Sequence, residues 1–406
     1  MLPERAAWRQ IERWLSPLRP VGRALRLVTP LGRWVIGAGA LAWLVGGRLG
    51  WKELLLVAGG CLVATVLALA STAGRSPLSV ELEMSPLRVT AGEQSVGRIA
   101  VQNTGRRRVF GIHLEAPIGT GVARFDAPSL GIGDSWDDIF IVPTPRRAIL
   151  DVGPARTVRG DPLGLARREV ISGERMELFV HPRIVRLVGS TAGWLRDLEG
   201  RTTNDLSPSD VAFHTLREYV PGDDRRHVHW RTSARLGRLM VRQYVDTRRS
   251  HLGLVLSTDL ADYATDDEFE LAVSIVGSLG VGALADDQTV TVTTGGKPLP
   301  AVNGQRLLDG LSGLERGRGA GDVRDLVKRS IPLVRGASVV ALVGGSSMDP
   351  SILRGAAQRF GHDVRVLAIR AIPGVALARR ELGSVFLLEV GDMADLARMM
   401  RATVSR

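Results

Sequence analysis

Between Trp34 and Thr72 the chain carries two apolar runs, WVIGAGALAWLVGG (34–47) and ELLLVAGGCLVATVLALAST (53–72), set apart by Arg48, Gly50, Trp51 and Lys52. A bilayer's hydrocarbon core, about 30 Å thick, takes about 20 apolar residues of helix. The second run has that length. The first reaches it over Leu31–Gly50 if the Arg48 stem carries its guanidinium outward to the headgroups. Trp34, Trp43 and Trp51 include residues suited to interfacial anchoring. The pattern predicts a transmembrane helical hairpin over 34–72, from which the rest of the chain must hang. One span beside a helix lying in the interface is the alternative.

Charge sets the expected orientation. Residues 1–33 form a basic arm with seven arginines (Arg5, Arg9, Arg13, Arg19, Arg23, Arg26, Arg33) against Glu4 and Glu12, leaving +5 of the chain's +11. So long a charged lead does not fit a cleaved signal peptide. The positive-inside rule places this arm in the cytoplasm, and two spans return the chain there. The expectation is a plasma-membrane protein with both termini cytoplasmic and the lipid bilayer as a partner. Arg75 agrees with it, whereas Arg48 and Lys52 at the hairpin tip oppose it. The arginines concentrate beside the membrane without interleaved aromatics, so nucleic acid is not the expected partner. Cys61 is the only cysteine, which excludes an intrachain disulfide.

Residues 78–185 change character. SVELEM (79–84), GRIAVQN (97–103), FGIHLEA (110–116), DIFIV (138–142) and MELFV (176–180) alternate, with Gly- and Asn-containing turns between them. Short strands so punctuated predict an all-β sandwich. The piece from Arg146 to Glu169 reads as a strand and an extended excursion, its arginines forming a solvated edge that blocks strand addition. A polar connection over 186–211 opens the third part, 186–406. There HLGLVLST (251–258), QTVTVTT (288–294), SVVALVG (338–344), DVRVLAI (363–369) and SVFLLEV (384–390) alternate with helical segments at 268–285, 304–316, 321–333, 350–360 and 392–402. Continuously apolar strands alternating with helices predict a doubly wound α/β sheet covered on both faces. The fold class is thus multidomain: membrane hairpin, β-sandwich, α/β head.

The densest polar chemistry lies in FHTLREYVPGDDRRHVHWRTSARLGRLMVRQYV, 213–245. LREYV reads as a strand and Pro221-Gly222 as a turn. Asp223 or Asp224 is placed to cap a following helix that carries His227, Trp230 and Ala234 on one face. Gly237 is placed to end it. Arg217, Glu218, Asp223, Asp224, Arg226 and Arg235 suit either a half-buried ion-pair network that fixes the turn or a surface for an anionic ligand or partner. Ser233 has no base identifiable from spacing. His227 and His229 fall on different helix faces and make poor joint metal ligands.

Leu216-Arg217-Glu218-Tyr219, Pro221-Gly222-Asp223-Asp224, Arg226, Trp230, Ser233-Ala234-Arg235 and Leu239-Val241-Arg242 together resemble the defining motif of the domain of unknown function 58 family. Gly160-Asp161-Pro162 with Gly164-Leu165 also match it, while His229 stands where that family often has Asp. The resemblance implies a prokaryotic protein with a membrane hairpin, a β-rich segment and a von Willebrand factor type A-like, Rossmann-like domain. It further implies a MoxR-type AAA+ ATPase and a transglutaminase-like membrane protein as partners. The expected role is a membrane-anchored adaptor in assembly or maturation of other complexes, without catalysis of its own. A hydrolase using the Asp/Arg-rich motif and Asp259 is the competing class. Type A domains often hold a divalent cation through an Asp-x-Ser-x-Ser loop. Here it reads Asp259-Leu260-Ala261-Asp262-Tyr263, with both serines lost, so Asp259 remains as a lone candidate for Mg²⁺ and no cofactor is expected.

Overall fold

The computed structural model of the chain describes residues 27–72, 78–161, 163–187, 211–221, 223–246, 251–317, 321–361, 364–383 and 385–404. Most of the basic arm (1–26), Arg75, Pro162, most of the polar connection (188–210) and Gly222 lie outside the described residues. Two compact units divide the chain at Val180/His181.

The first unit opens with helices α1 (Pro30–Leu49) and α2 (Lys52–Thr72). Thr29 caps α1 by accepting from the Gly32 amide, and Pro30 enters where its missing N–H costs nothing. Gly50, at φ 72°, ends α1 in the left-handed region that L side chains avoid. The buried residues of α1 are Gly32, Gly39 and Gly46, spaced by seven. A Cβ on Gly39 would lie 2.9 Å from Cys61 Cβ and one on Gly46 3.0 Å from Leu54 Cβ. Small residues thus bring the two antiparallel helices into backbone contact, a packing that needs no hydrophobic drive. Their other faces are apolar and outward: Trp34 is 79% exposed and Leu56 79%. Among the described residues, two helices are long and apolar enough to cross a membrane, α2 and the helix at Asp266–Ala285. The second is buried in the other unit and is a core helix. Helix α1, with Arg33 and Arg48 in its length, is not one of the two.

Strands β1 (Leu78–Ser85), β2 (Arg88–Thr90), β3 (Gln94–Asn103), β4 (Ile112–Ile118), β5 (Gly121–Ala127), β6 (Ser135–Pro143), β7 (Ala148–Val152), β8 (Ala155–Gly160), β9 (Arg167–Ser172) and β10 (Met176–His181) follow. They form a three-stranded sheet, β1-β3-β6, and a larger one, β2-β10-β7-β4-β8-β9 with β5 on β4. Alternation decides which face is buried: Val80, Ile99 and Val101 of one sheet meet Ile112, Leu114 and Phe125 of the other in a shared core. Where the sequence suggested an excursion after β7, the chain makes two further strands, β8 and β9. Their register pairs Arg156 with Ile171 and Arg167 with Gly160, and Arg167 lies 3.0 Å from Glu115 and 3.1 Å from Glu169. Glu115 of β4 and Glu169 of β9 itself thus pair with an arginine of the stretch read as a solvated edge.

In the second unit, residues 181–187 already pack on the α/β core. Val185 donates its amide to Ser278 Oγ, His181 Nε2 lies 2.9 Å from Asp309, and Leu187 is buried in the main apolar cluster. A two-stranded antiparallel sheet, β11 (Val211–Glu218) and β12 (Met240–Asp246), carries the short helix α3 (Trp230–Leu236) between its strands.

The remaining strands are β13 (His251–Leu256), β14 (Thr289–Thr294), β15 (Lys297–Leu299), β16 (Val339–Gly344), β17 (Arg365–Ala371), β18 (Ala378–Leu382) and β19 (Val385–Val390). They lie in the order β15-β14-β13-β16-β17-β19-β18, parallel except for the edge strands β15 and β18. Helices α4 (Asp266–Ala285), α5 (Gly304–Ser312) and α8 (Met393–Val404) serve one face, and α6 (Val323–Ser330) and α7 (Pro350–Ala357) the other. Leu252, Leu254 and Leu256 point to the first face and Val255 to the second, all fully buried. Each such side chain contributes about 1.5–3 kcal/mol through burial. The edge strands carry too few apolar residues for a periodicity to register in the sequence.

Candidate functional site

The segment joining β11 to β12 is built from its polar residues upward. Asp223 accepts both Arg217 guanidinium nitrogens, at 2.7 and 2.6 Å, and the Val220 amide at 2.9 Å. The guanidinium, and then the amide, hold its carboxyl below the usual carboxylate range, while Arg217 is pushed further up. Pro221 sits in this turn, and Tyr219 donates its amide to the Leu239 carbonyl across it. Asp224 caps a 3₁₀ turn, Arg225–His227, by accepting from the Arg226 amide. Val228 then leaves the helical path to bridge Val241 of β12 and is 5% exposed.

That bridge corrects the expected single helix. His227 and Trp230 do not share a helical face, because burial of Val228 outweighs helix continuation. Helix α3 instead starts afresh at Trp230, capped by His229, whose Nδ1 accepts from the Thr232 amide. An aspartate at this position would accept in the same way. Gly237 ends α3 at φ 68°.

Ser233 is buried. Its hydroxyl donates to the His229 carbonyl at 3.1 Å and accepts from the Met240 amide at 2.8 Å, fastening α3 to β12. A hydroxyl so committed is a structural pin, not a nucleophile. Among the described residues the anticipated ion-pair network comes down to two pairs, Arg217–Asp223 and the exposed Arg238–Glu218 at 3.2 Å. Arg226 and Arg235 face solvent and pair with no described carboxylate, and Trp230 is 66% exposed.

Asp259 lies three residues beyond the end of β13, at the carboxyl edge of the parallel strands, where ligands of such sheets sit. Its carboxylate caps a 3₁₀ turn, Leu260–Asp262, by accepting from the Ala261 amide. Ser257 donates its hydroxyl to Asp262, and the buried Tyr263 hydroxyl donates to the Ser257 carbonyl at 2.6 Å. Hard divalent cations take six or more oxygens. Tyr263 lies edge-on to Phe269 where the metal loop would place a serine, and no group of three or more potential His, Cys, Asp or Glu ligands converges among the described residues. This donor set does not fit the cation.

Burial, then the neighbouring Asp259 and Asp322 charges, hold Asp262 above the ordinary value of 3.8, against the Ser257 hydrogen bond that lowers it. A carboxyl raised on folding contributes stability below about 3.8 that is lost as pH rises through its folded value. Asp262→Asn should therefore unfold at the same or a higher temperature than the parent at pH 7, with the difference closing toward pH 4. A lower melting temperature at pH 7 alone would contradict this assignment.

Sequence reasoning missed a buried polar cluster around Glu268. Glu268, 5% exposed, accepts from the Ala264 amide at 2.9 Å, the Ser346 amide at 3.0 Å and the Ser346 hydroxyl at 2.6 Å. Arg370 donates to the Ser346 carbonyl and pairs with Glu389 at 2.8 Å. The cluster's signal in the sequence was weak, because Glu268 is one of three acids, with Asp266 and Asp267, in the first turn of α4 and only the fold shows which of them is buried. In the first unit, Asp161 of the Gly160-Asp161 motif accepts from the Leu163 and Ala166 amides, shaping a loop whose Gly164 and Leu165 carbonyls accept from the Thr29 hydroxyl. This loop holds the start of α1.

The second unit is an α/β protein of the wrapped, mostly parallel-sheet class, with a motif-bearing β-ribbon ahead of it. Residues 215–308, from that ribbon into α5, match the family model described as "Protein of unknown function DUF58". No curated protein matches the chain. Among solved structures, the CARDB domain of the PF1109 protein from Pyrococcus furiosus is 17% identical over 26% of this chain and 88% of its own, with a TM-score of 0.21. The alkylpurine DNA glycosylase AlkC of Pseudomonas fluorescens is 14% identical over 32% of this chain and 40% of its own, at 0.20. A beta-glucosidase from Listeria innocua is 12% identical over 25% of this chain and 17% of its own, at 0.16. Likeness this slight carries no argument about fold or function.

Proposed function

We propose that the protein is a membrane-anchored binding module without catalysis of its own. Its α/β head, read as von Willebrand factor type A-like and Rossmann-like, acts as adaptor for a MoxR-type AAA+ ATPase, alongside a transglutaminase-like membrane protein. The anchor is the α1–α2 hairpin in the plasma membrane, with head and N-terminal arm on the cytoplasmic side. The observation that carries this reading is that the polar groups singled out as chemical candidates already hold local structure. Asp223 fixes a turn, Asp224 and Asp259 cap 3₁₀ turns, and Ser233 pins a helix to a strand. A base or nucleophile needs a partner poised toward substrate, whereas a docking surface needs a rigid scaffold. The parallel sheet order β14-β13-β16-β17-β19 and the outward apolar face of α2 support the head and the anchor respectively.

The test is co-purification of the full chain, in detergent or nanodiscs, with the ATPase in the presence of ATP, ADP or no nucleotide. Association that depends on nucleotide is expected. Equal recovery in all three states, at the level of an unrelated membrane protein, would count against the adaptor role.

A further inference from the structure

Residues 225–236, RRHVHWRTSARL, contain four arginines and no acid. Arg225, Arg226, Arg231 and Arg235 are exposed, and none pairs with a described carboxylate. In α3 the buried position is Ser233, which puts Arg231 and Arg235 together on the opposite side, one turn apart. Like charges at that spacing destabilise a helix, and α3 has no acid in its first turn to offset them. Beside them stand Trp230, 66% exposed, Leu236, 50%, and Leu239, 43%. The fold has therefore assembled cations that repel one another beside apolar groups that face water.

We propose that this tip docks on anionic phospholipid headgroups of the membrane in which the chain's own hairpin sits. Charge complementarity selects an anionic occupant. The interleaving of cations with single apolar side chains selects a headgroup layer over a protein, since protein interfaces deplete charge from a contiguous apolar centre. Guanidinium groups bind phosphates in bidentate fashion, while an indole carries an apolar body and one donor, which suits the headgroup boundary. Each basic residue near an anionic leaflet shifts the bound population about fivefold. Tethering supplies the local concentration that makes so weak a contact effective. The inference goes beyond the adaptor role and rests on the membrane-anchor part of that reading.

The test uses the full chain with Cys61→Ser and Leu236→Cys, labelled at the new thiol with an environment-sensitive dye. It is reconstituted in phosphatidylcholine vesicles with or without about a third phosphatidylglycerol, the anionic lipid that the contact requires. Flotation with both vesicle types reports the anchor. A blue-shifted, brighter dye only with phosphatidylglycerol, reversed by salt, is expected. Arg231→Gln with Arg235→Gln should lower the bound-to-free ratio about 25-fold and leave the unfolding temperature unchanged or slightly raised, since repulsion is removed.

A floating chain whose dye responds equally in both vesicle types, or in neither, overturns the tip proposal and leaves the anchor standing. A chain that fails to float overturns both. A response in neutral vesicles to an acidic polypeptide, to single-stranded oligonucleotide or to protein density in the bilayer, with none to phosphatidylglycerol, assigns the tip to that other occupant and also overturns the proposal.

Discussion

Glu268→Ala is expected to lower the unfolding temperature of the α/β unit by roughly 6–12 °C, with the first unit unaffected. Glu268 is 5% exposed and is the acceptor for two backbone amides and one hydroxyl. Removing it leaves those donors facing an apolar side chain and the back of Gly345. A stranded donor costs about 1–3 kcal/mol, and water reaching part of the site brings the sum to about 3 kcal/mol. In a domain of this size each kcal/mol moves the midpoint by about 2–4 °C. Glu268→Gln retains one carbonyl acceptor and should lose less than half as much. Gly345 enforces the arrangement, because a Cβ there would lie 2.6 Å from the Asp262 carbonyl, Glu268 Oε2 and the Tyr263 ring. Differential scanning calorimetry of the full chain, resolving two transitions, provides the check. A midpoint within 2 °C of the parent would show that this cluster does not hold the carboxyl ends of β13 and β16 together.

The second large effect belongs to Gly32. A Cβ there would stand 2.2 Å from the Leu165 carbonyl oxygen and 2.7 Å from Val28 Cγ1. The first obstacle is backbone, which cannot rotate away. Gly32→Ala must therefore push the start of α1 off the Asp161 loop. That breaks the Thr29 amide and hydroxyl bonds to Leu165 and the Val28–Ala166 bridge. Overpacking of this kind costs about 1–3 kcal/mol. Amides at this clasp, Thr29 and Ala166 among them, exchange through local opening. Their deuterium uptake should rise about 10–100-fold, while amides of β3 and β13 keep parental rates. Exchange measured by mass spectrometry on the chain in nanodiscs reads this directly. Unchanged uptake at residues 28–33 and 161–167 would mean that the loop does not clasp the helix.

The two predictions concern contacts of a kind that patterns along the chain do not reveal. Glu268 meets Ser346 across 78 positions and Thr29 meets Leu165 across 136. Neither residue belongs to an amphipathic period, and neither changes the composition of its segment. The Gly160-Asp161 and Gly164-Leu165 residues did stand out by resemblance, but only the fold shows that they grip α1. The motif between β11 and β12 was legible as strand, turn, helix and strand. Its helix was misplaced because the departure at Val228 depends on a bridge to Val241, a residue beyond the helix itself.

By itself the sequence determined the order and type of the main elements: the apolar hairpin, alternating strands, then apolar strands separated by helices. Those features are local, since side-chain period and turn residues act within a few positions. It also marked the polar motif at 213–245 as unusual. Only the tertiary structure decided which of those polar groups are occupied and which face outward. The chain lists Ser233, Asp223 and Arg235 with equal weight, but folding commits the first to a buried amide and the second to a guanidinium and a turn. Arg235 is left in water. Occupancy is set by neighbours that chain closure brings together, and those neighbours are not encoded in spacing.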